Sequence, residues 1–214
     1  MYDKRTDLLL ACGVLATPLF FVVAFTMAAT RPGFDLGPHM LSQLSAGDLG
    51  WVQMANFVVT GILYILGAFG FRRVFTEGPG RVWAPRLLAV FGAGLVAAGV
   101  FVADPYKGYP VGGDEKITWH GTLHGVAALV AGVVLVAALL VLARRYYAEG
   151  HKIRSVVTVV VAVVYLVLPF SSPDQGGLTL AVGSIIGWGW ISVRALLAMP
   201  ALAGRNGFAT AHPA

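Results

Sequence analysis

Six stretches of this chain are apolar for long enough to cross a bilayer, and no other feature narrows the possible folds as much. They run approximately from Leu8 to Ala29, Trp51 to Phe71, Leu87 to Ala103, Trp119 to Ala143, Ser155 to Phe170 and Leu178 to Met199. A helix needs about 20 predominantly apolar residues to span a hydrocarbon core roughly 30 Å thick. The fifth run is the shortest and its valines favour strand in water, but an isolated strand cannot satisfy its backbone in lipid, so helix is expected there too. The expected fold class is therefore all-α, a polytopic membrane bundle of six transmembrane helices. Residues 1–200 are expected to form one transmembrane domain, and residues 201–214 a short, polar, disordered cytoplasmic tail.

Composition agrees. Of 214 residues, 57% are hydrophobic and 12% charged, against about 25% charged in an ordinary soluble domain. The net charge of +5 does not point to nucleic acid, because the basic residues form short clusters between the apolar runs rather than one stripe. They report orientation instead. With the N-terminus inside, the inner segments hold Lys4, Arg5, Arg72, Arg73, Arg81, Arg86, Arg144, Arg145, Lys152, Arg154, Arg194 and Arg205, and only Arg31, Lys107 and Lys116 lie outside. Cytoplasmic loops retain Lys and Arg, so both termini are expected in the cytoplasm and the protein in the cytoplasmic membrane. The acids Asp35, Asp48, Asp104, Asp114, Glu115 and Asp174 all fall in the outer segments. The first run, preceded by Lys4 and Arg5, exceeds the roughly 7 to 15 apolar residues of a signal core and contains Pro18, so it is expected to be a retained span. Cys12, the single cysteine, leaves no intramolecular disulfide or cysteine-based metal site.

Gly121-x-x-x-Gly125 and Gly183-x-x-x-Gly187 are candidate helix-packing motifs, since small residues let backbones approach. Trp51, Trp83 and Trp119 fall at expected interfaces as aromatic anchors, and Trp188 and Trp190 lie deeper as packing residues.

No Asp, Glu, Lys, Arg or His lies near the middle of any expected span, which disfavours an ion-coupled relay and removes the lysine a retinal Schiff base requires. The outer boundary is different. His120 and His124 are four residues apart at the start of the fourth span and share a face. Asp104 precedes Pro105 at the end of the third span, Asp174 lies in Ser171-Ser172-Pro173-Asp174-Gln175, and the first outer loop carries Asp35, His39, Ser42, Ser45 and Asp48. His120, His124 and Asp104 have the ligand types of a three-coordinate zinc site with an open position, although the Glu of H-E-x-x-H is missing. The same side chains can equally hydrogen-bond one another and exposed carbonyls, fixing the helix ends. A bis-His haem is disfavoured, because His120 and His124 share one helix and His39 is in a loop. Ser42 and Ser45 lack a Gly-x-Ser-x-Gly elbow, and the segment after Pro38 reads as a short helix lying at the outer interface, with Ser and Asp near its caps.

Several segments together, Pro38-His39-Met40-Leu41-Ser42-Gln43-Leu44-Ser45, Gly50 to Gly61, Phe101-Val102-Ala103-Asp104-Pro105 and Trp119-His120-Gly121-Thr122-Leu123-His124-Gly125, resemble the bacterial family known as domain of unknown function 998. The resemblance implies a six-span bundle without an established activity. Where members of that family carry a Gln-Arg or Glu-Arg pair after the glycines that open the last helix, this chain has Leu178-Thr179-Leu180-Ala181. The Ser, Asp and His types at one membrane face are also similar to those of the alkaline ceramidase and progestin-receptor superfamily, which gathers them around zinc, usually with seven spans and with the paired histidines in the last.

The leading expectation is an outward-facing polar pocket that binds a small molecule or lipid headgroup through Ser42, Asp104, His120, His124 and Asp174, with Tyr106, Tyr109 and Trp119 as its aromatic rim. The rival is a metal-dependent membrane hydrolase with His120, His124 and Asp104 as zinc ligands and Asp174 as general base. A third reading is an accessory protein whose outer network only holds the helices together.

Overall fold

The structure is a computed structural model that describes residues 4–199; the expected tail at 201–214 lies outside the described residues. Six helices are long and apolar enough to cross a membrane. Their α-helices are α1 (Lys4–Thr30), α2 (Gly50–Val74), α3 (Trp83–Val100), α4 (Trp119–Ala148), α5 (Lys152–Val167) and α6 (Gly176–Leu197), the fifth span continuing as a 3-10 turn to Phe170 and the sixth beginning with one at Pro173. No strand occurs among the described residues, and the valine-rich fifth run is helical.

Helix α4 runs five residues past its expected end at Ala143, whereas α3, expected to reach Ala103, stops at Val100, where Phe101 turns extended. The backbone thereby leaves the helix before Asp104, which Pro105 disfavours from helical geometry. Pro169 acts similarly on the fifth span, whose last residues, Leu168–Phe170, tighten into a 3-10 turn. Thr118 opens α4 as an N-cap whose hydroxyl accepts from Gly121 N at 3.1 Å.

Each helix packs on its neighbours in sequence, and α1 packs on α6, so the six form a closed ring. The closing seam is polar. Ser192 donates to the Gly13 carbonyl at 2.8 Å and accepts from Thr17 at 2.8 Å, and the Thr17 hydroxyl meets the Tyr64 phenol at 2.6 Å. The lateral surface carries exposed Leu8, Leu15, Val22, Val133, Val156, Val160, Val163 and Leu166, as a surface solvated by acyl chains should. Trp51, Trp83 and Trp119 are exposed at helix starts, whereas Trp188 is buried against Phe20, Phe21, Tyr64 and Phe91.

Helix-to-helix backbone contact is made by glycines other than the two GxxxG pairs. A Cβ on Gly61 would stand 2.4 Å from the Gly92 carbonyl oxygen, and one on Gly92 2.5 Å from that of Gly61, so α2 and α3 touch main chain to main chain. Gly67 and Gly13 do the same for α2 and α1, with Gly67 Cβ 2.8 Å from Gly13 Cα. Of the expected motifs, Gly125 has nothing within 4 Å of a Cβ, Gly183 has ordinary room, Gly187 receives the Tyr165 ring and Gly121 receives a carboxylate.

Six spans place the start of α1 and the end of α6 at one end of the ring, the terminal end. The other, the loop end, carries the α1–α2 and α3–α4 loops. There Leu41–Ser45 forms a 3-10 turn whose Leu41, Gln43, Leu44 and Ser45 are buried, so the segment plugs the ring instead of lying flat at the interface as expected. The plug is bonded on every side. Gln43 accepts from Met40 N at 2.8 Å and donates to the Tyr106 carbonyl at 2.9 Å; Gln53 donates to the Leu41 carbonyl at 3.2 Å; Ser45 accepts from Ala103 N at 3.2 Å. Gly37 O accepts from Gly177 N at 2.8 Å, and α6 comes so close that a Cβ on Gly177 would lie 2.1 Å from the His39 carbonyl oxygen.

Candidate functional site

Beneath the plug the ring encloses a cavity of about 580 Å³, within the range of small-molecule sites. Its deep part is lined by Phe20, Phe21, Phe57, Phe91, Leu95 and Trp188, and its loop end by Ser42, Gln43, Asp104, Tyr106, Glu115 and Lys116. One wall is α4, through Gly121, His124, Gly125, Ala128 and Ala131, and another is α6, through Gly177, Leu180, Ala181 and Ser184. Helix α5 lies between these two. Its 16 residues measure about 24 Å, against about 45 Å for the 30 residues of α4. Ser155 donates to the Ala143 carbonyl at 2.8 Å and the Tyr165 hydroxyl stands 3.5 Å from where a Cβ of Gly132 would be, which fixes the antiparallel register. In that register α5 ends near the level of Ala131, and beyond it Gly125 and Ala128 are exposed.

His124 is the buried polar side chain of the α4 wall, with 6% of its surface exposed. Its Nδ1 lies 2.8 Å from the Ala98 carbonyl oxygen and 2.9 Å from that of Phe101, at the end of α3. Two acceptors at one nitrogen require that Nδ1 carry the proton, so in the neutral ring Nε2 holds a free lone pair. That nitrogen has no hydrogen-bond partner among the described residues, and His124 lines the cavity. Phe57 packs edge-on against the ring at 5.9 Å.

Asp104 also borders the cavity, but its carboxylate is engaged. Oδ1 accepts from the Thr118 hydroxyl at 2.6 Å and Oδ2 from Thr118 N at 2.9 Å, which places a negative charge on the first turn of α4. Gly121 makes room for it, since a Cβ there would fall within 2.0 to 2.4 Å of the three carboxyl atoms. Gly121→Ala is therefore expected to unseat Asp104 and cost about 1 to 2 kcal/mol, the value of a lost cap. Asp104→Ala should cost about the same and the double variant little more than either, because one interaction is removed in each case. Thermal unfolding in detergent measures all three, and full additivity would contradict this account.

The other expected site residues are dispersed. His120 stacks on Trp119 at 3.6 Å and faces Phe101 at 6.1 Å; its Nδ1 is enclosed without a partner, and the ring does not border the cavity. Asp174 is exposed in the 3-10 turn Pro173–Gln175 and is likewise off the cavity. Ser42 does line it, with no hydrogen bond from its hydroxyl to the described residues. Of the expected rim, Tyr106 borders the cavity, Trp119 is exposed beside His120, and Tyr109 is buried against Phe34 and His39. Burial pushes the Tyr109 hydroxyl up, against the pull of Arg31. His39 is a clamp: its Nδ1 accepts from Asp35 N at 2.9 Å and its Nε2 donates to the Lys107 carbonyl at 3.0 Å.

No group of three His, Cys, Asp or Glu side chains among the described residues is placed to hold a metal ion. The set His120, His124 and Asp104 is not assembled: one imidazole faces aromatic rings, the other is held through Nδ1 by carbonyls, and the carboxylate caps a helix. Sequence reasoning missed Ser184, Tyr165 and Gly125 as cavity residues, because apolar helix positions facing lipid, core or cavity look alike in a membrane span. A family model described as "Protein of unknown function (DUF998)" matches residues 14–197. No curated protein and no solved structure matches the chain.

Proposed function

The chain belongs to the DUF998 family, and from that premise and the cavity geometry we propose that it binds a lipid-like amphiphile, headgroup toward the loop end and tail against the aromatic floor. The loop end, in this reading, faces outward from the cytoplasmic membrane. Support comes from the basic residues: among those described, eleven flank the terminal end, from Lys4 to Arg194, and three, Arg31, Lys107 and Lys116, the loop end.

One observation carries the ligand class, namely that two carbonyls hold His124 through Nδ1 in an otherwise apolar cavity wall, which leaves Nε2 to a ligand. A neutral imidazole held this way accepts a hydrogen bond and cannot offer one, so the headgroup must donate. The charges at the mouth act in the same direction. Asp104 and Glu115 border it, while Lys116 is paired with Asp114, leaving a field that favours a hydroxyl or ammonium head over an anion. The wall of α4 beyond the end of α5 supports entry from the lipid, since exposed Gly125 and Ala128 line the cavity there.

Two substitutions separate binding from folding. In His124→Asn the amide nitrogen replaces Nδ1 and keeps the bonds to Ala98 and Phe101, but nothing replaces Nε2. This variant is expected to unfold close to the wild-type temperature and to bind a monoacylglycerol or long-chain amine about tenfold more weakly, the value of one buried hydrogen bond. His124→Gln is expected to reverse the pattern, with lower stability from the abandoned carbonyls and a retained acceptor. Titration of purified protein with monooleoylglycerol, oleylamine and oleate reads both. Wild-type affinity in His124→Asn, or oleate as the tightest ligand, would refute the proposal.

A further inference from the structure

At the terminal end, far from the cavity, Arg194 stands in the last turn of α6, where an arginine ordinarily extends to water. It is instead 7% exposed. Its guanidinium lies 4.9 Å from the Tyr146 ring centroid and 5.7 Å from that of Trp190, and Nε donates to the Tyr146 hydroxyl at 2.9 Å. That bond uses one of five N–H groups. The other four make no hydrogen bond to the described residues.

A second cation shares the same ring, for the Arg154 guanidinium is 5.5 Å from the Tyr146 centroid. Among the described residues no carboxylate forms an ion pair with either. Glu149, the nearby acid, is taken by Arg145 at 2.7 Å. Aromatic faces stabilise a guanidinium but satisfy none of its N–H groups, and a buried charge without a counter-ion is costly. The planar fork of arginine matches the oxygens of a phosphate, and basic pockets between helices at headgroup depth take anionic lipids.

We infer that Arg194 and Arg154 form a phosphate-binding site between α4, α5 and α6 at the terminal end, occupied by the headgroup of an anionic phospholipid or by free phosphate. The two sources present the same oxyanion and are distinguished by the probe.

The test uses the full-length protein in a neutral detergent and follows the thermal midpoint on addition of phosphatidylglycerol, phosphatidylcholine or inorganic phosphate. Phosphatidylglycerol is expected to raise the midpoint by several degrees and phosphatidylcholine to do much less. An equal rise with inorganic phosphate assigns the site to the free anion. Arg154→Gln, which loses no hydrogen bond to the core, is expected to fold and to need about tenfold more ligand, as for one charged hydrogen-bonding group. Arg194→Lys keeps the charge without the fork and should weaken binding similarly, while Arg86→Gln, at the same end but against Trp83, should respond as wild type. No response to either phosphate source, or equal losses in Arg86→Gln and Arg154→Gln, would overturn the site in favour of diffuse surface charge.

Discussion

Gly61→Ala is expected to lower the stability of the bundle by about 2 to 3 kcal/mol, the upper range for overpacking a close contact. The sign is not obvious, because alanine is a better helix former than glycine by about 0.8 to 1.0 kcal/mol. Position decides it. The new methyl would lie 2.4 Å from the Gly92 carbonyl oxygen, 2.8 Å from Val96 Cγ2 and 2.9 Å from Val96 N. Two of these atoms are backbone, so the only relief is separation of α2 from α3. In lipid that loss is not recovered by hydrophobic pressure, since tails and side chains are equally apolar and helix association rests on packing. Gly92→Ala meets the mirror contact, so the double variant should cost less than the sum of the singles. Thermal unfolding in detergent is the measurement, and a neutral or stabilising Gly61→Ala would show that the helices do not meet at these residues.

Gly125→Leu should act in the opposite sense on stability and much more strongly on binding. A Cβ at this position meets nothing within 4 Å, and the residue lines the cavity. Removing a glycine from a helix interior should stabilise the fold by roughly 0.8 kcal/mol, while the isobutyl group would fill space assigned to the tail of the proposed amphiphile. Placing a side chain where a ligand must sit is expected to lower affinity by about a hundredfold, equivalent to about 2.7 kcal/mol. Titration with monooleoylglycerol beside a thermal melt tests both halves. A more stable variant with unchanged affinity would remove this face of α4 from the binding site.

These two glycines also show what the sequence discloses and what it conceals. The six spans are legible from length and hydropathy alone, because lipid imposes both on any helix that crosses it. Which glycine touches another backbone is not legible, since that depends on helix rotation: Gly121 and Gly125 have motif spacing, yet one admits a carboxylate and the other faces space. The histidines repeat the lesson. Residues four apart differ by about 40° around a helix axis, enough for His120 to turn toward Trp119 and Phe101 while His124 enters the ring. The sequence puts Asp104 at the loop end of the third span, but its role depends on the backbone N–H of Thr118, a donor that every non-proline residue carries. Asp174 left the site because its 3-10 turn ends in exposed backbone.

The polar seam among Thr17, Tyr64 and Ser192 bears on how the ring is made. All other major helix contacts join elements adjacent in the chain, so five helices can pair in order as they leave the ribosome. The seam joins residues 175 apart. Until the sixth helix is synthesised, the assembly is an open horseshoe whose Thr17 and Tyr64 hydroxyls have each other but neither Ser192 nor the Trp188 carbonyl. Arrival of α6 is thus the event that turns a partly built membrane insert into a finished ring, and a chain halted before Gly176 would leave the cavity without its α6 wall.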